Sequence, residues 1–273
     1  MAKYLSLNIL AVFFLLTGCN NVPYGNNPQA GKYYNIRGFK MYCEIYGSGK
    51  PLLMIHGNNG SISTFKGSIP YFAEKYKVII ADSRAQGKSR DDKDSLSFEM
   101  MADDYAALLD SLHIDSAYVI GWSDGGINGL LLAMRHPDKV KMLASSGANL
   151  WPDSTAIDPK EWKEEKTTYN KSKGIVNKSI KARNERKLFL LDWDQPHIAL
   201  ALLHKIQCPV LVIGGDHDII RQQHTQLIYR NIPKANLWIV PHSGHGTLFE
   251  HRRKFNSNID GFFSNPYQSA NKY

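Results

Sequence analysis

The chain has few cysteines, three among 273 residues. So small a number excludes a scaffold held together by several disulfides. Cys43 and Cys208 lie in or beside predicted strands at opposite ends of the folded part of the chain. An oxidising compartment would permit a disulfide between them, but two separate thiols in the core are the expected arrangement.

The chain also lacks the patterns of a nucleic-acid-binding or metal-binding protein. No RNA-recognition motif, helix-turn-helix pattern or zinc-ligand spacing stands out, and its ten histidines follow no ligand pattern. A formal net charge of +8 attracts anions, but charge alone does not distinguish nucleic acid, lipid headgroups and small anions. We therefore expect no nucleic-acid partner, no metal and no organic cofactor. No oligomeric state is indicated.

A long apolar run occurs only at the N-terminus. There the positive end MAKY precedes LSLNILAVFFLL, which is too short to cross a bilayer comfortably and is typical of an export signal over residues 1–18. The run ends in LTGC, residues 16–19, which resembles the bacterial lipoprotein box. The resemblance implies lipidation of Cys19 and anchoring to the bacterial envelope. Asn20, in place of an aspartate, favours the outer membrane, with the domain facing the periplasm or the surface.

Two alternatives to the lipoprotein interpretation stay open, namely a plain secretory signal and a short membrane anchor. The next segment, residues 19–32, is rich in Asn, Pro and Gly and has no apolar periodicity. Such a composition predicts a flexible tether.

From residue 33 onward, short apolar runs alternate with helical patterns. Nearly continuous apolar runs are typical of strands covered on both faces, as in a parallel sheet with crossover helices. The predicted strands are YYNIRG and KMYCEIYG as an antiparallel opening pair, then PLLMIHG, KVIIAD, AYVIG, VKMLASSGA, PVLVIGG and NLWIVP. Helices are expected near 97–112, 125–136, 222–231 and 248–263, with Ser97 or Asp94 as the cap of the first. The fold class is therefore α/β, with a mostly parallel eight-stranded sheet and helices on both faces.

Residues 150–205 interrupt this alternation and predict a small helical cap inserted over the C-terminal edge of the sheet. The core then consists of residues 33–149 and 206–273. Within 160–187, ten Lys or Arg stand against four Glu. This basic surplus fits a solvated helical face, and it also fits a patch that steers anions.

The stretch YVIGWSDGGINGL, residues 118–130, places a serine where a strand must turn sharply into a helix. Gly121 and Gly125 flank Ser123 in the Gly-x-Ser-x-Gly pattern of a nucleophile elbow, in which glycines relieve the crowding of a tight turn. The start of the following helix would favour a developing oxyanion.

A serine hydroxyl needs a base, and the base needs a partner that fixes its tautomer. The run GGDHD ends one predicted strand with Asp216 and Asp218, and the run PHSGHG ends the next with His242 and His245. The order serine, acid, histidine is that of the α/β-hydrolase fold. From about residue 33 to 263, the chain resembles a capped, single-domain α/β hydrolase.

This resemblance implies a catalytic triad of Ser123, Asp218 and His245. It also implies an oxyanion hole formed by the backbone N–H groups of Asn58, in the HGNN turn after a strand, and Asp124. Asp216 then serves as a turn residue, and His56 is expected to be structural.

The Gly-Trp-Ser-Asp-Gly-Gly stretch is similar to that of the valacyclovir hydrolase family, which cleaves α-amino acid esters. In that family the carboxylate after the nucleophile receives the ammonium group of the substrate, and Asp124 occupies this place. A carboxylate in the first turn of a helix is, however, favoured whatever the substrate. A basic cap would also oppose a cationic substrate unless its lysines face solvent.

The expected function is a serine hydrolase that acts on a small-molecule carboxylic ester or a related acyl compound, with an aminoacyl ester as one form. Carbon–carbon bond hydrolysis, lactone opening, peptidase activity and perhydrolase activity are open alternatives, because fold and triad do not fix the substrate. A lipid-tethered protein that only binds a ligand is a further alternative.

Overall fold

The computed structural model describes residues 22–175 and 179–265, and these form an eight-stranded sheet surrounded by helices. The strands are β1 Gly31–Ile36, β2 Phe39–Tyr46, β3 Lys50–Ile55, β4 Tyr76–Ala81, β5 Ala117–Trp122, β6 Val140–Ser146, β7 Val210–Gly215 and β8 Ala235–Val240. The helices are α1 Ile69–Ala73, α2 Phe98–Ser111, α3 Asp124–Arg135, α4 Pro159–Ser172, α5 Ile180–Asp194, α6 Leu200–Leu203, α7 Gln222–Asn231, α8 Thr247–Glu250 and α9 Arg252–Ser264.

The order of the strands in the sheet is β1-β2-β4-β3-β5-β6-β7-β8. β1 pairs antiparallel with β2, and β2 with β4, whereas every later pairing is parallel. The predicted antiparallel opening and parallel remainder are confirmed. Because the parallel strands all end at one edge, the loops after β3, β5, β7 and β8 meet there.

The apolar residues of the strands divide between two cores, one on each face of the sheet. Leu109 of α2, Leu130 of α3 and Ile228 of α7 belong to one core, and Phe72 of α1 and Phe255 of α9 belong to the other. Burial on both faces explains why β7, with the sequence VLVIGG, is apolar throughout.

The helix boundaries follow local signals. Ser97 caps α2, and its hydroxyl accepts a hydrogen bond from the Met100 amide at 3.1 Å. α3 ends at Arg135, ahead of the His136-Pro137 pair, because the residue before a proline is disfavoured in the helical region. The single helix predicted near 248–263 is divided into α8 and α9 at His251.

Three helices, α4 to α6, occupy the segment between β6 and β7, and residues 150–205 are called the cap below. α4 has no buried residue, whereas α5 contributes Leu188 and Leu191 to the core. The Leu188 carbonyl accepts a hydrogen bond at 3.0 Å from the side-chain amide of Asn58, in the turn after β3. The cap therefore contacts the edge of the sheet where the parallel strands end.

The first described residues differ from the expected flexible tether over 19–32. The buried carboxylate of Glu44 in β2 accepts hydrogen bonds from the backbone amides of Gly25, at 2.8 Å, and Asn27, at 2.9 Å. Tyr24 also packs edge-on against Tyr46, with ring centroids 5.1 Å apart. Residues 22–32 are thus held against the domain, and β1 already begins at Gly31.

The predicted signal peptide and Cys19 lie outside the described residues. Within residues 22–175 and 179–265, no helix is long and apolar enough to cross a bilayer. Cys43 is buried and Cys208 is half-buried, and both are free thiols, which confirms the expectation of two separate thiols.

Candidate active site

Ser123 occupies the tight bend between β5 and α3. Its φ of 57° and ψ of −123° are seldom adopted by a non-glycine residue and mark backbone strain. A Cβ at Gly121 would lie 2.0 Å from the carbonyl oxygen of Gly125, and a Cβ at Gly125 would lie 2.0 Å from that of Ile55. The two flanking glycines therefore allow α3 to begin against the end of β3. The Ser123 amide donates to the Ser146 carbonyl at 2.8 Å and fixes the bend.

His245 lies in the loop after β8, and its Nε2 is 2.9 Å from the Ser123 Oγ. The indole N–H of Trp122 donates to the His245 carbonyl at 2.8 Å, and the two rings pack with centroids 5.4 Å apart. Gly147, which has a φ of 64°, leaves room for the imidazole, since a Cβ there would lie 2.8 Å from the His245 Cε1. The sequence motifs did not indicate these roles of Trp122 and Gly147.

Asp218, in the loop after β7, lies behind the imidazole. Its Oδ1 is 2.7 Å from the Nδ1 of His245, and its side chain is 1% exposed. The amides of Ile220, at 3.0 Å, and Gly215, at 3.3 Å, also donate to this carboxylate. A neutral histidine that donates through Nδ1 accepts through Nε2. The geometry therefore leaves Nε2 free to accept the proton of the Ser123 hydroxyl.

The neighbouring Asp216 holds the two loops together instead. Its carboxylate accepts hydrogen bonds from the backbone amides of His242 and Ser243, both at 3.0 Å, and from His217 Nδ1 at 2.7 Å. The amide of His242, followed by the imidazole of His217, holds the pKa of Asp216 below its usual range. Asp216 thus has the turn role expected from the sequence.

The turn after β3 lies against Ser123, because a Cβ at Gly57 would be 2.9 Å from the Ser123 Cβ. His56 anchors this turn: its Nε2 accepts from the Ser83 amide at 3.0 Å, and its Nδ1 lies 2.7 Å from the Gly57 carbonyl. Burial lowers the pKa of His56, so the neutral form is favoured and the residue is structural.

The backbone amides of Asn58 and Asp124, the two predicted oxyanion donors, have no acceptor among the described residues. Asn58 follows the anchored turn after β3, and Asp124 is the first residue of α3. The first N–H groups of a helix have no partner inside it and carry partial positive charge. Both amides are therefore available to an oxyanion formed at Ser123.

A cavity of about 60 Å³ adjoins Ser123 and His245. Three carboxylate residues line it, namely Asp124 from α3, Glu165 from α4 and Asp192 from α5. The predicted substrate-binding residue Asp124 thus faces the space beside the serine. Glu165 and Asp192 have no motif that marks them in the sequence, because only the folding of the cap brings them to this cavity.

The three carboxylates have raised pKa values. Burial is the main cause in each case, and the proximity of Asp192 adds to it for Asp124 and Glu165. The pKa of Glu165 reaches about 7. Asp124 is 4% exposed, and its Oδ2 has no hydrogen-bond partner among the described residues. Within that part of the chain, no group of three or more histidine, cysteine, aspartate or glutamate residues could hold a metal ion.

Comparisons with known proteins identify the fold. Residues 50–171 match a family described as the α/β-hydrolase fold. The enol-lactonase from Burkholderia xenovorans LB400 superposes with a TM-score of 0.70 at 18% identity, over 86% of this chain and all of that one. At that identity the superposition shows the fold alone.

The sequence relatives are hydrolases. Serine hydrolase BPHL from Homo sapiens is 26% identical over 246 residues, which cover 83% of this chain and 84% of that protein. The 2-hydroxymuconate semialdehyde hydrolase from Pseudomonas sp. strain CF600 is 24% identical, over 88% of this chain and 95% of that protein.

The fold and the site therefore define the class of protein: an α/β-hydrolase fold with a serine on the elbow after β5. The chain has the α/β-hydrolase fold, resembles hydrolases of that fold in sequence, and is a hydrolase.

Proposed function

We propose that the protein is a serine hydrolase that cleaves a carboxylic ester or a related acyl substrate through an acyl-enzyme. The observation that supports this most directly is the continuous chain of contacts from Ser123 Oγ to His245 Nε2, at 2.9 Å, and from His245 Nδ1 to Asp218 Oδ1, at 2.7 Å. A nucleophile in contact with a base, itself oriented by a buried carboxylate, is the arrangement that activates a hydroxyl.

In the first half of the reaction, Ser123 Oγ attacks the carbonyl carbon while its proton passes to His245 Nε2. Asp218 stabilises the imidazolium that forms, and the amides of Asn58 and Asp124 bind the oxyanion. The bond to the leaving oxygen then breaks, and His245 returns the proton to it. In the second half, water attacks the acyl-enzyme with His245 as the base, and Ser123 is released with the carboxylic acid product.

The test is covalent labelling by a fluorophosphonate, which reacts with an activated serine. Wild-type protein should be labelled and should hydrolyse p-nitrophenyl acetate. Ser123→Ala should abolish both signals, and Asp218→Asn should reduce the hydrolysis rate by about 10⁴-fold, because it leaves the imidazole in the wrong tautomer.

The control is Asp216→Asn, which alters the neighbouring carboxylate that faces the loop amides and not His245. It should retain labelling, with a thermal unfolding curve recorded beside it. Folded wild-type protein that neither takes up the probe nor hydrolyses the ester would favour the alternative of a protein that only binds a ligand.

We also propose that the acyl group carries an ammonium group, as in an aminoacyl ester, with Asp124 as its receptor. The objection that a basic cap would repel such a substrate is weakened by the positions of the side chains. Lys163 and Lys166 of α4 are exposed, whereas the cap residues that line the cavity include Glu165 and Asp192. Asp124→Asn should slow alanine ethyl ester more than p-nitrophenyl acetate. Equal slowing of both would discard the role.

The resemblance of residues 16–19 to a lipoprotein box supports a further proposal, that Cys19 is lipidated and anchors the domain to the bacterial envelope. Metabolic labelling with a fatty-acid analogue should mark the full chain, and Cys19→Ala should lose the label. A Cys19→Ala protein that is labelled like the wild type would contradict lipidation at this residue.

A further inference from the structure

The cavity beside Ser123 contains a buried carboxyl group that no N–H group satisfies. Asp124 is 4% exposed, and no N–H group of the described residues donates to its Oδ2; its polar neighbour in the cavity is another carboxyl group, that of Asp192. A buried carboxylate oxygen without a donor is costly, because it has lost water and gained nothing in return. Since the side chain lines a cavity that opens on Ser123, a donor supplied by the substrate would satisfy it.

Two carboxylates of the cap adjoin the same space. Asp192 of α5 lies near enough to the other two acids to raise the pKa of both, those of Asp124 and Glu165, in addition to the effect of burial. Asp192 is therefore the acid that affects both of the others. Three carboxylates so close in a buried site cannot all be ionised without a cation or bound protons.

The surrounding charges do not supply that cation. The titratable groups that bear on the three acids are His245, in the loop after β8, and Glu161, on α4. Glu161 adds negative charge, and the imidazole of His245 already donates to Asp218. The apolar residues Ile127 and Ile219 complete much of the lining. Within the described residues, no lysine or arginine lines this cavity.

We propose that Asp192 and Glu165 are specificity-determining residues, which complete with Asp124 a receptor for one ammonium group on a small acyl group of the substrate. An ammonium has three N–H donors, and the three side chains offer acceptors from three different helices. The volume of about 60 Å³ has space for only a few heavy atoms, which favours an acyl group of the size of alanyl. The inference rests on the proposed function, since the ammonium must belong to the acyl part of an ester attacked by Ser123.

The reaction itself is unchanged by this assignment. The ammonium is bound both before and during the attack by Ser123, so the loss of one acceptor should raise KM more than it lowers kcat. Binding of the cation favours the ionised carboxylates and lowers their pKa values. Substrate binding should therefore release protons near pH 7, which is close to the pKa of Glu165 in the free protein.

The experiment compares two ethyl esters of nearly the same shape, alanine ethyl ester and ethyl isobutyrate, which differ by an ammonium in place of a methyl group. Asp192→Asn and Glu165→Gln should each raise KM for the alanine ester by about tenfold or more, because each removes a charge-assisted hydrogen bond. Hydrolysis of the isobutyrate should be unchanged or faster. Matched controls on the same two helices are Asp194→Asn and Glu164→Gln, whose side chains are exposed and which should leave both esters unaffected.

A second readout does not depend on turnover. Alanine ethyl ester is titrated calorimetrically into Ser123→Ala protein, in two buffers of different ionisation enthalpy at pH 7. The difference between the heats of binding in the two buffers should reveal proton release. The release should be smaller in the Ser123→Ala, Asp192→Asn double variant. Because Glu165 lies on α4, a helix without buried residues, Glu165→Gln keeps the proposal testable should Asp192→Asn fail to fold.

The outcomes separate this inference from the proposed function. The absence of both fluorophosphonate labelling and p-nitrophenyl acetate hydrolysis in the wild-type protein would contradict the proposal that it is a serine hydrolase. A labelled, active wild type that does not prefer the alanine ester would overturn the receptor and leave the hydrolase intact. The receptor would also be overturned by variants that change both esters equally, or by binding that releases no proton.

Discussion

The edge of the sheet and the cap contribute different parts of the site. The edge supplies the groups that we propose break the bond: Ser123, Asp218 and His245 lie in loops that leave three parallel strands, and His245 is within hydrogen-bond distance of the other two. The cap supplies the acids Glu165 and Asp192, on helices that close the cavity. We therefore expect the strand ends to determine the reaction chemistry, and the position of the cap to determine the choice of substrate.

The cap has two faces of opposite charge. Its basic surplus faces solvent on residues such as Lys163, Lys166 and Lys171, all of them exposed, while its cavity lining includes two acids. The net charge of a segment therefore does not give the potential inside the site it covers. Interior charges interact through a medium of lower dielectric than water, so the charge of an ionised inward acid is screened less from a bound ligand than the charge of an exposed lysine.

The largest expected effect is at the sheet edge, in Gly125→Ala. The added Cβ would lie 2.0 Å from the Ile55 carbonyl oxygen, and a backbone atom cannot move aside as a flexible side chain could. We expect a loss of about 3 kcal/mol in the free energy of unfolding, measured by urea denaturation. A loss of hydrolysis out of proportion to the unfolded fraction is also expected, because the elbow would have to shift.

The control is Gly261→Ala in α9, where an added Cβ would meet no atom within 4 Å. Removing a glycine from the interior of a helix should stabilise the protein by about 0.5–1 kcal/mol. Equal effects of the two substitutions would contradict the close approach of α3 to β3.

These contrasts explain what could be predicted from the sequence. The strands, the direction of their pairing and the position of Ser123 follow from short-range signals: apolar runs, glycines at a turn and polar residues at strand ends. The choice of His245 over His242 came from the resemblance to α/β hydrolases. Because the ends of parallel strands meet at one edge, residues 122 positions apart along the chain come into contact there.

The parts that could not be predicted depend on tertiary packing without a local pattern. Glu165 is one of four glutamates among ten basic residues between 160 and 187, and nothing in its neighbours distinguishes it from the exposed Glu164. The position of residues 22–32 could not be predicted either. Their composition is typical of a linker, but the buried carboxylate of Glu44 supplies acceptors for two of their amides.

A smaller effect is expected where the cap leaves the core. The Leu150 amide donates to Nε2 of His224 at 2.9 Å, and the ring of His224 packs edge-on against Trp151. Burial lowers the pKa of His224 to about 4, from about 6.5 in an unfolded chain. The unfolded chain therefore binds more protons between these values, and stability should fall by roughly 2–3 kcal/mol as the pH falls from 6.5 to 4.

His224→Gln isolates this contribution, because a glutamine amide oxygen can accept the Leu150 hydrogen bond and does not titrate. The difference in the free energy of unfolding between pH 7 and pH 4.5 should shrink in this variant. His204→Gln, at an exposed position of the cap, should leave that difference as it is in the wild type. If His224→Gln leaves the pH dependence of the free energy of unfolding unchanged, the acid sensitivity arises from other residues.

The smallest effect concerns the second attachment of the cap, Lys187 of α5. Its Nζ donates to the Lys93 carbonyl at 2.6 Å and to the Asp91 carbonyl at 3.2 Å, and it lies 3.7 Å from the Asp91 carboxylate. Lys187→Met keeps the aliphatic stem but removes these contacts, so we expect a loss of about 1–2 kcal/mol. The Lys181 side chain is 87% exposed, so Lys181→Met should change stability by less than about 0.5 kcal/mol.

Since Lys187 and Asp192 lie on the same helix, a loosened α5 should also reduce the preference for alanine ethyl ester over ethyl isobutyrate, while fluorophosphonate labelling of Ser123 persists. If the preference for the alanine ester and the labelling of Ser123 were lost to the same extent, the cap would also hold the sheet edge in place, and the two regions would not be separable.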